Sequence, residues 1–147
     1  MDRVRCAPDP ACRETGDALG LAPEVDDGVR GWDLGRWAGA TLDETAAQCR
    51  EDVAAWLADP SAAPHGGETL AALLARVRGW LAGAAPGHTL VICGPAVARA
   101  AVVAVLDAPA AAFWRVDVAP LTVTDLRGGP HRWTVRAAGA PLRVGRV

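Results

Sequence analysis

The sequence predicts an α/β fold, a three-layer α/β/α sandwich around a mostly parallel sheet. Short apolar runs typical of buried strands alternate along the chain with segments of helical periodicity. The 147 residues are enough for one domain with a sizeable core, so we expect residues 1–147 to form a single domain. Apolar residues make up 51% of the chain, which is typical of a globular protein and not of a disordered one.

The first half of the chain begins with a short apolar stretch that ends at Cys6, which we read as a strand. Prolines break it, and residues 11–19 follow as a helix that Gly20 ends. Residues 21–33 are predicted to be extended or irregular. The sequence TLDE that starts at Thr41 is a capping-box pattern, and apolar positions at helical spacing extend this second helix to residue 57.

The second half starts after a loop rich in helix breakers at residues 59–67. Leucines on one stripe predict a helix over residues 68–83. The run TLVIC predicts a buried strand over residues 89–93, and an alanine-rich helix over residues 96–106 follows it. A helical turn over residues 110–114 is then followed by three predicted strands, over residues 116–118, 121–126 and 132–137, the last two joined by a loop at residues 127–130.

Composition excludes several classes of protein. The net charge of −2 argues against a nucleic-acid-binding surface. No apolar run is as long as a membrane span, and the N-terminal MDRVRCAPDP has no apolar core of a signal peptide, so we expect a cytoplasmic protein without membrane contact. The four cysteines show no Cys-x-x-Cys spacing, so the sequence predicts neither a disulfide framework nor a metal site, and we expect no cofactor.

Five short motifs occur in an order and at spacings that resemble the histidine phosphatase superfamily, also called phosphoglycerate mutase-like. RCAPDPACRETGDALGL resembles the family's Ser-Pro-x-x-Arg-Ala-x-x-Thr segment, and VRGWDLGRWAG its Leu-Arg-Glu-x-x-Phe-Gly-x-Trp-Glu-Gly segment. APHGGET is similar to the Pro-x-Gly-Gly-Glu-Ser loop, and LVICGPAVARA to Val-Val-Thr-His-Gly-Gly-Val-Ile-Arg-Ala. DVAPLTVTDLR and RWTVRAAG resemble the closing strand pair. The resemblance extends from Val4 to about Ala138.

The resemblance implies phosphoryl transfer through a phospho-histidine, with two arginines and a second histidine on the phosphate and an acid that protonates the leaving oxygen. This chain departs from that pattern. It begins at the family's second strand, so the reduced fold lacks the first strand, which carries the nucleophile, and the helix after it. The arginine of the second motif falls at Pro10, the acid at Gly31 and the second histidine at Gly94. We therefore expect a truncated and catalytically degenerate member.

Two functions follow from this reading. The first is a pseudoenzyme that transfers no phosphoryl group and acts as a binding or accessory protein, with a small anionic or metabolite ligand. The alternative is a repurposed enzyme that acts on a small metabolite in the remodelled phosphatase cleft. Fold similarity does not choose between them, because function depends on the site.

Candidate site residues come from the motifs that border the family's cleft. Cys6 and Cys93 end two strands that are sheet neighbours in the family, and the helix that follows Gly94 should lower the pKa of the Cys93 thiol. His65 is either a solvated loop residue or a new acid/base group, and Trp32 is a flat apolar wall. The candidate catalytic groups are Cys93, Cys6, His65 and Asp33, and the candidate ligand-binding residues are Arg30, Trp32, Arg36, Gly94 and Glu68.

The last expectation concerns the assembly of this chain with a second chain. In the family, the missing strand lies between the strand that ends at Cys93 and the closing strands. Its neighbours would expose unpaired backbone groups, and the loss of the following helix would uncover an apolar face. Either the flanking strands close up and pair, or a second chain covers the surface. We expect a homodimer or an obligate protein partner.

Overall fold

A computed structural model describes residues 1–129 and 131–142 of the chain. Its central sheet has three strands, β1 (Arg3–Cys6), β2 (Glu24–Val25) and β3 (Thr89–Ile92), in the order β2-β1-β3. Both pairs are parallel. The predicted mixed α/β fold with a mostly parallel central sheet is confirmed.

Five α-helices accompany the strands within the described residues. They are α1 (Pro10–Ala18), α2 (Leu42–Gln48), α3 (Arg50–Ala58), α4 (Leu70–Ala82) and α5 (Pro95–Val105). Helix α1 packs on β1 and β3, and α4 packs along α5. Helix α4 begins at Thr69, whose hydroxyl accepts the backbone N–H of Ala72 at 3.0 Å. No described helix is long and apolar enough to cross a membrane.

The helix predicted over residues 41–57 is two helices. The capping box at its start is confirmed, since Thr41 and Glu44 each bond the backbone N–H of the other. Cys49 ends α2 with φ −139° and ψ 55°, which are not helical dihedral angles, and α3 begins at the next residue. The apolar spacing is helical on both sides of Cys49, so the pattern does not reveal the break.

A separate antiparallel hairpin is formed by β4 (Thr122–Gly129) and β5 (Arg132–Pro141). Both strands are longer than predicted. Of the two residues between them, Pro130 lies outside the described residues, as do residues 143–147. The predicted strand over residues 116–118 is wrong, because these residues pair with no other strand.

The edge of β3 away from β1 has no strand partner within the described residues, and neither β4 nor β5 pairs with it. Of the two alternatives, direct pairing of the strands that flank the gap does not occur within the described residues. The homodimer or obligate partner stays a prediction, which light scattering at micromolar concentration tests.

Two hydrophobic clusters of buried residues position the site. The larger one joins β1 and β3 to α1, α4 and α5, with Leu70, Leu73 and Phe113 at most 1% exposed. The smaller one contains Trp37, Val53 and Trp56 and fixes α3 beneath the loop of residues 30–40. Trp37 is 9% exposed and packs within this cluster.

Candidate functional site

The carboxyl ends of β1 and β3 lie side by side, as the sequence analysis expects. Cys6 is opposite Ile92 in the parallel pair, so Cys93 follows directly at the same edge of the sheet. Gly94 then caps α5, and a Cβ built on it would have no atom within 4 Å. The turn therefore has open space where the family resemblance calls for a histidine.

The carboxylate of Asp9 occupies this edge, and sequence reasoning missed it. Its Oδ2 accepts the backbone N–H of Gly31 at 2.9 Å. A Cβ at position 31 would lie 2.7 Å from Asp9 Oδ1, so the carboxylate fills the space of any side chain there. Matching the family threonine to Thr15 places the expected arginine at Ala11 instead of Pro10, and neither residue is charged. The Asp9 carboxylate thus occupies the space of the acid that the resemblance calls for at position 31, whereas no charged side chain replaces the arginine at position 10 or 11.

The thiols at this edge are weak acids, which corrects an expectation. Burial raises the pKa of Cys93 to about 12, with Cys12, Cys6 and Asp9 adding to the effect. Burial also raises the pKa of Cys12 to about 11 and that of Cys6, which is fully buried. The predicted lowering of the Cys93 pKa by the start of α5 is wrong, because desolvation of the thiolate dominates.

Iodoacetamide should therefore alkylate Cys93 and Cys6 very slowly in the native protein. A pKa of about 12 against the ordinary 9.0 leaves a thiolate fraction roughly a thousandfold lower near neutral pH. Cys49, which is partly exposed between α2 and α3, is the internal comparison and should react first. Peptide mass spectrometry of a time course measures this, and alkylation of Cys93 as fast as that of Cys49 would contradict it.

The polar ligand-binding candidates do not converge on one site. Arg30 forms an exposed ion pair with Asp27 at 3.1 Å, and the guanidinium of exposed Arg36 donates to the carbonyl of Pro64. The carboxylate of Glu68 accepts from Arg76 at 2.8 and 2.9 Å. The expectation that these three side chains bind a ligand is not supported by their contacts, because each is held by the protein itself.

The catalytic candidate Asp33 also has a local role. Its side chain is exposed, and its Oδ1 accepts the backbone N–H of Gly35 at 2.9 Å. Its carbonyl accepts the N–H of Glu68, which ties the loop of residues 30–40 to the loop before α4. No group of three or more histidine, cysteine, aspartate or glutamate side chains that could hold a metal occurs within residues 1–129 and 131–142.

His65 is buried, so the prediction that it is a solvated loop residue is wrong. Its side chain is 1% exposed, and its ring lies 5.2 Å from that of Trp37 and 6.3 Å from that of Trp56. Its Nδ1 accepts the backbone N–H of Gly67 at 2.9 Å, so the neutral ring carries its proton on Nε2. Burial lowers the pKa of His65 below its ordinary 6.5.

Stability should fall as the pH drops below about 6.5, because the unfolded chain then binds a proton at His65 that the folded chain does not. The loss ends once the pH is below the folded pKa, where both states are protonated. An NMR titration of the His65 imidazole signals measures its pKa directly. A His65 pKa at or above the ordinary 6.5 would contradict the assignment.

An aromatic cavity of about 250 Å³ lies beside α5. Five of the chain's seven aromatic residues line it, and the only charged residue among its lining is Arg99. The aromatic residues are Trp32, Trp37, Trp56, Phe113 and Trp114. The apolar wall expected at Trp32 is part of this lining, and Ala96 in the first turn of α5 places the cavity next to the Gly94 turn.

Sequence reasoning did not find most of this cavity. Trp56 lies at the end of the predicted second helix and Trp114 in the predicted helical turn, and neither pattern indicates a cavity. Ion pairs are the role that the sequence predicts for Arg99 on the predicted helix over residues 96–106. Arg99 instead lies over the Phe113 ring, with its guanidinium carbon 5.8 Å from the ring centroid, and it has no ion-pair partner among the described residues. The only signal in the sequence was the composition, with six tryptophans and no tyrosine.

The fold is shared with phosphatases of known structure. The family model for branch 1 of the histidine phosphatase superfamily matches residues 4–140. A mycobacterial glucosyl-3-phosphoglycerate phosphatase is similar with a TM-score of 0.77 and 25% identity over 96% of this chain and 78% of that one. Its complex with inorganic phosphate has a TM-score of 0.71 and 27% identity, over 95% and 76% of the two chains.

A more distant likeness shows the fold alone. The α-ribazole phosphatase of Shigella flexneri has a TM-score of 0.78 at 18% identity, over 99% of this chain and 77% of that one. Among curated proteins, none matches this chain in sequence.

Proposed function

Because this chain belongs to branch 1 of the histidine phosphatase superfamily, we propose that it is a member that binds a small molecule and transfers no phosphoryl group. The observation that carries the proposal is the open space at Gly94, where a built Cβ would have no atom within 4 Å and no side chain replaces the expected histidine. In the family pattern an acid, an arginine and a second histidine surround the phosphate. Here the Asp9 carboxylate lies in the space of the acid, but Pro10, Ala11 and Gly94 supply neither the arginine nor the histidine.

Charge supports the proposal. Phosphoryl transfer depends on positive groups and hydrogen-bond donors placed around the transferred phosphate. Pro10 and Ala11 carry no charge, and glycine at position 94 supplies neither charge nor a proton. Two basic residues of the motifs that border the cleft are engaged elsewhere, since Arg5 pairs with Asp26 at 3.1 Å and Arg30 pairs with Asp27.

The alternative, an enzyme acting on a small metabolite in a remodelled cleft, has weaker support. Thiols with a pKa as high as that of Cys93 are poor nucleophiles near neutral pH. His65 is buried against Trp37 and Trp56, and Asp33 is exposed and bonded to its own loop. These candidates therefore do not form a nucleophile with an adjacent base.

The purified chain should show no turnover with a panel of phosphomonoesters, and mass spectrometry should find no phospho-enzyme. Loss of groups that act as one unit leaves little beyond binding effects. Gly94→His, which the open space at this position accommodates, should fold and stay inactive, because no positive side chain stands at position 10 or 11. Turnover that rises in proportion to wild-type enzyme would contradict the proposal.

A further inference from the structure

The aromatic cavity is lined by closely packed rings and is not a packing defect of the core. Trp56 is central to it, with ring centroids 4.8 Å from Trp114, 5.0 Å from Trp32 and 5.4 Å from Trp37. Rings held this closely on several sides have little freedom to collapse inward. Protein interiors are close-packed, with few voids larger than a water molecule. A space of about 250 Å³ with Leu42 half exposed among its lining is therefore suited to an occupant that enters from solvent.

Two hydrogen-bond donors of the cavity have no acceptor. The indole N–H of Trp56, a side chain only 6% exposed, is buried and bonds nothing within the described residues. The same holds for Nε of Arg99. Trp32 is the contrast, because its indole N–H donates to the carbonyl of Glu68 at 2.8 Å. Buried donors without partners are rare and costly, so an acceptor from outside the chain is expected here.

Charge decides which kind of ligand fits. A box of aromatic rings could also hold an organic cation. Arg99 excludes that reading, because it is the one charged residue of the lining and is positive. An anionic acceptor satisfies both the guanidinium and the indole N–H, and a carboxylate matches the flat geometry of the guanidinium.

Volume limits the size of the ligand. An apolar cavity of about 150 Å³ is known to hold benzene. About 250 Å³ therefore takes one ring and a short side chain, with roughly ten to twelve non-hydrogen atoms. We propose that the cavity binds a small aromatic monocarboxylate, with its ring among the tryptophans and its carboxylate on Arg99 and Trp56. This inference rests on the proposed function, because it names the class of small molecule that the chain would bind.

Titration with 3-phenylpropionate tests the inference, followed by calorimetry and by tryptophan fluorescence, since four of the six tryptophans line the cavity. We expect saturable binding, and binding of the neutral 3-phenylpropan-1-ol at least about tenfold weaker, because the alcohol lacks the charge-assisted hydrogen bonds. Acetate, which lacks the ring, and choline, which reverses the charge, should not bind.

Two variants assign the contacts. Arg99→Met should weaken binding of the acid by about tenfold or more and leave that of the alcohol unchanged, whereas Trp56→Phe should weaken the acid by a few-fold. Arg78→Met, on the exposed side of α4, is the matched control and should change neither. Equal affinity for acid and alcohol, an Arg99→Met protein with unchanged affinity for the acid, tighter binding of choline, or no binding at about 10 mM would each overturn the inference. None of these outcomes affects the phosphomonoester assay, so the two proposals fail separately.

Discussion

Replacing Gly67 by alanine should lower the free energy of unfolding by about 3 kcal/mol. A Cβ at this position would lie 2.2 Å from the carbonyl oxygen of Asp33, and one at Gly35 would lie 2.2 Å from that of His65. The clashing atom is a backbone oxygen, which cannot rotate away as the end of a side chain can. The loop of residues 30–40 and the loop before α4 would therefore be pushed apart. These loops carry Trp32, Trp37 and His65. The substitution should therefore distort the aromatic cavity as well as lower the free energy of unfolding.

Gly79→Ala is the matched control for this change. Gly79 lies inside α4, and a Cβ there would have no neighbour within 4 Å. Alanine should therefore stabilise the protein by about 0.5–1 kcal/mol through helix propensity alone. Urea denaturation of the three proteins measures both effects. A Gly67→Ala protein as stable as wild type would show that the two loops are not interlocked.

Arg76→Met should destabilise the protein by about 3–5 kcal/mol, since it leaves the Glu68 carboxylate buried without its cation. Both side chains of this ion pair are nearly buried, 12% and 11% exposed, and the guanidinium also donates to the carbonyls of Gly28 and Arg30 at 3.0 Å. The Arg76 side chain thus pairs with the Glu68 carboxylate and also bonds the backbone carbonyls of the segment that leads into the site.

Arg127→Met is the control, because Arg127 pairs with Asp125 on the exposed hairpin at 59% and 34% exposure. The loss there should be about 1 kcal/mol or less. Thermal or urea unfolding compares the two variants with wild type. Equal losses of unfolding free energy in the two variants would show that burial does not strengthen the contribution of the Arg76–Glu68 pair to stability.

Much of the fold could be predicted because its elements follow local rules. The strand at residues 3–6, the helix that begins after Thr69 and the turn at Gly94 are each encoded by apolar runs, caps and breakers. The break at Cys49 was not predictable, because the period of apolar residues continues through it. The two-residue strand β2 carries exposed side chains, so no pattern marks it. Its backbone is extended because it pairs in parallel with the edge of β1.

The candidate site was less predictable, because tertiary packing assembles it. Trp32 could be recognised from its motif, but Trp56, Arg99 and Trp114 lie on three other elements and meet it only in the fold. The substitution at Gly31 is visible in the sequence. The carboxylate that fills its place belongs to Asp9, 22 residues earlier, and only the geometry reveals that contact.

Calorimetric titration of the native chain with inorganic phosphate tests most directly whether this fold still holds a phosphoryl group. The absence of a charged side chain at positions 10, 11 and 94 predicts no saturable heat up to about 10 mM phosphate, and no rise in the unfolding temperature. Saturable binding with a dissociation constant of about 1 mM or tighter would contradict the account, because it would place a working phosphate site where these positions supply no positive side chain.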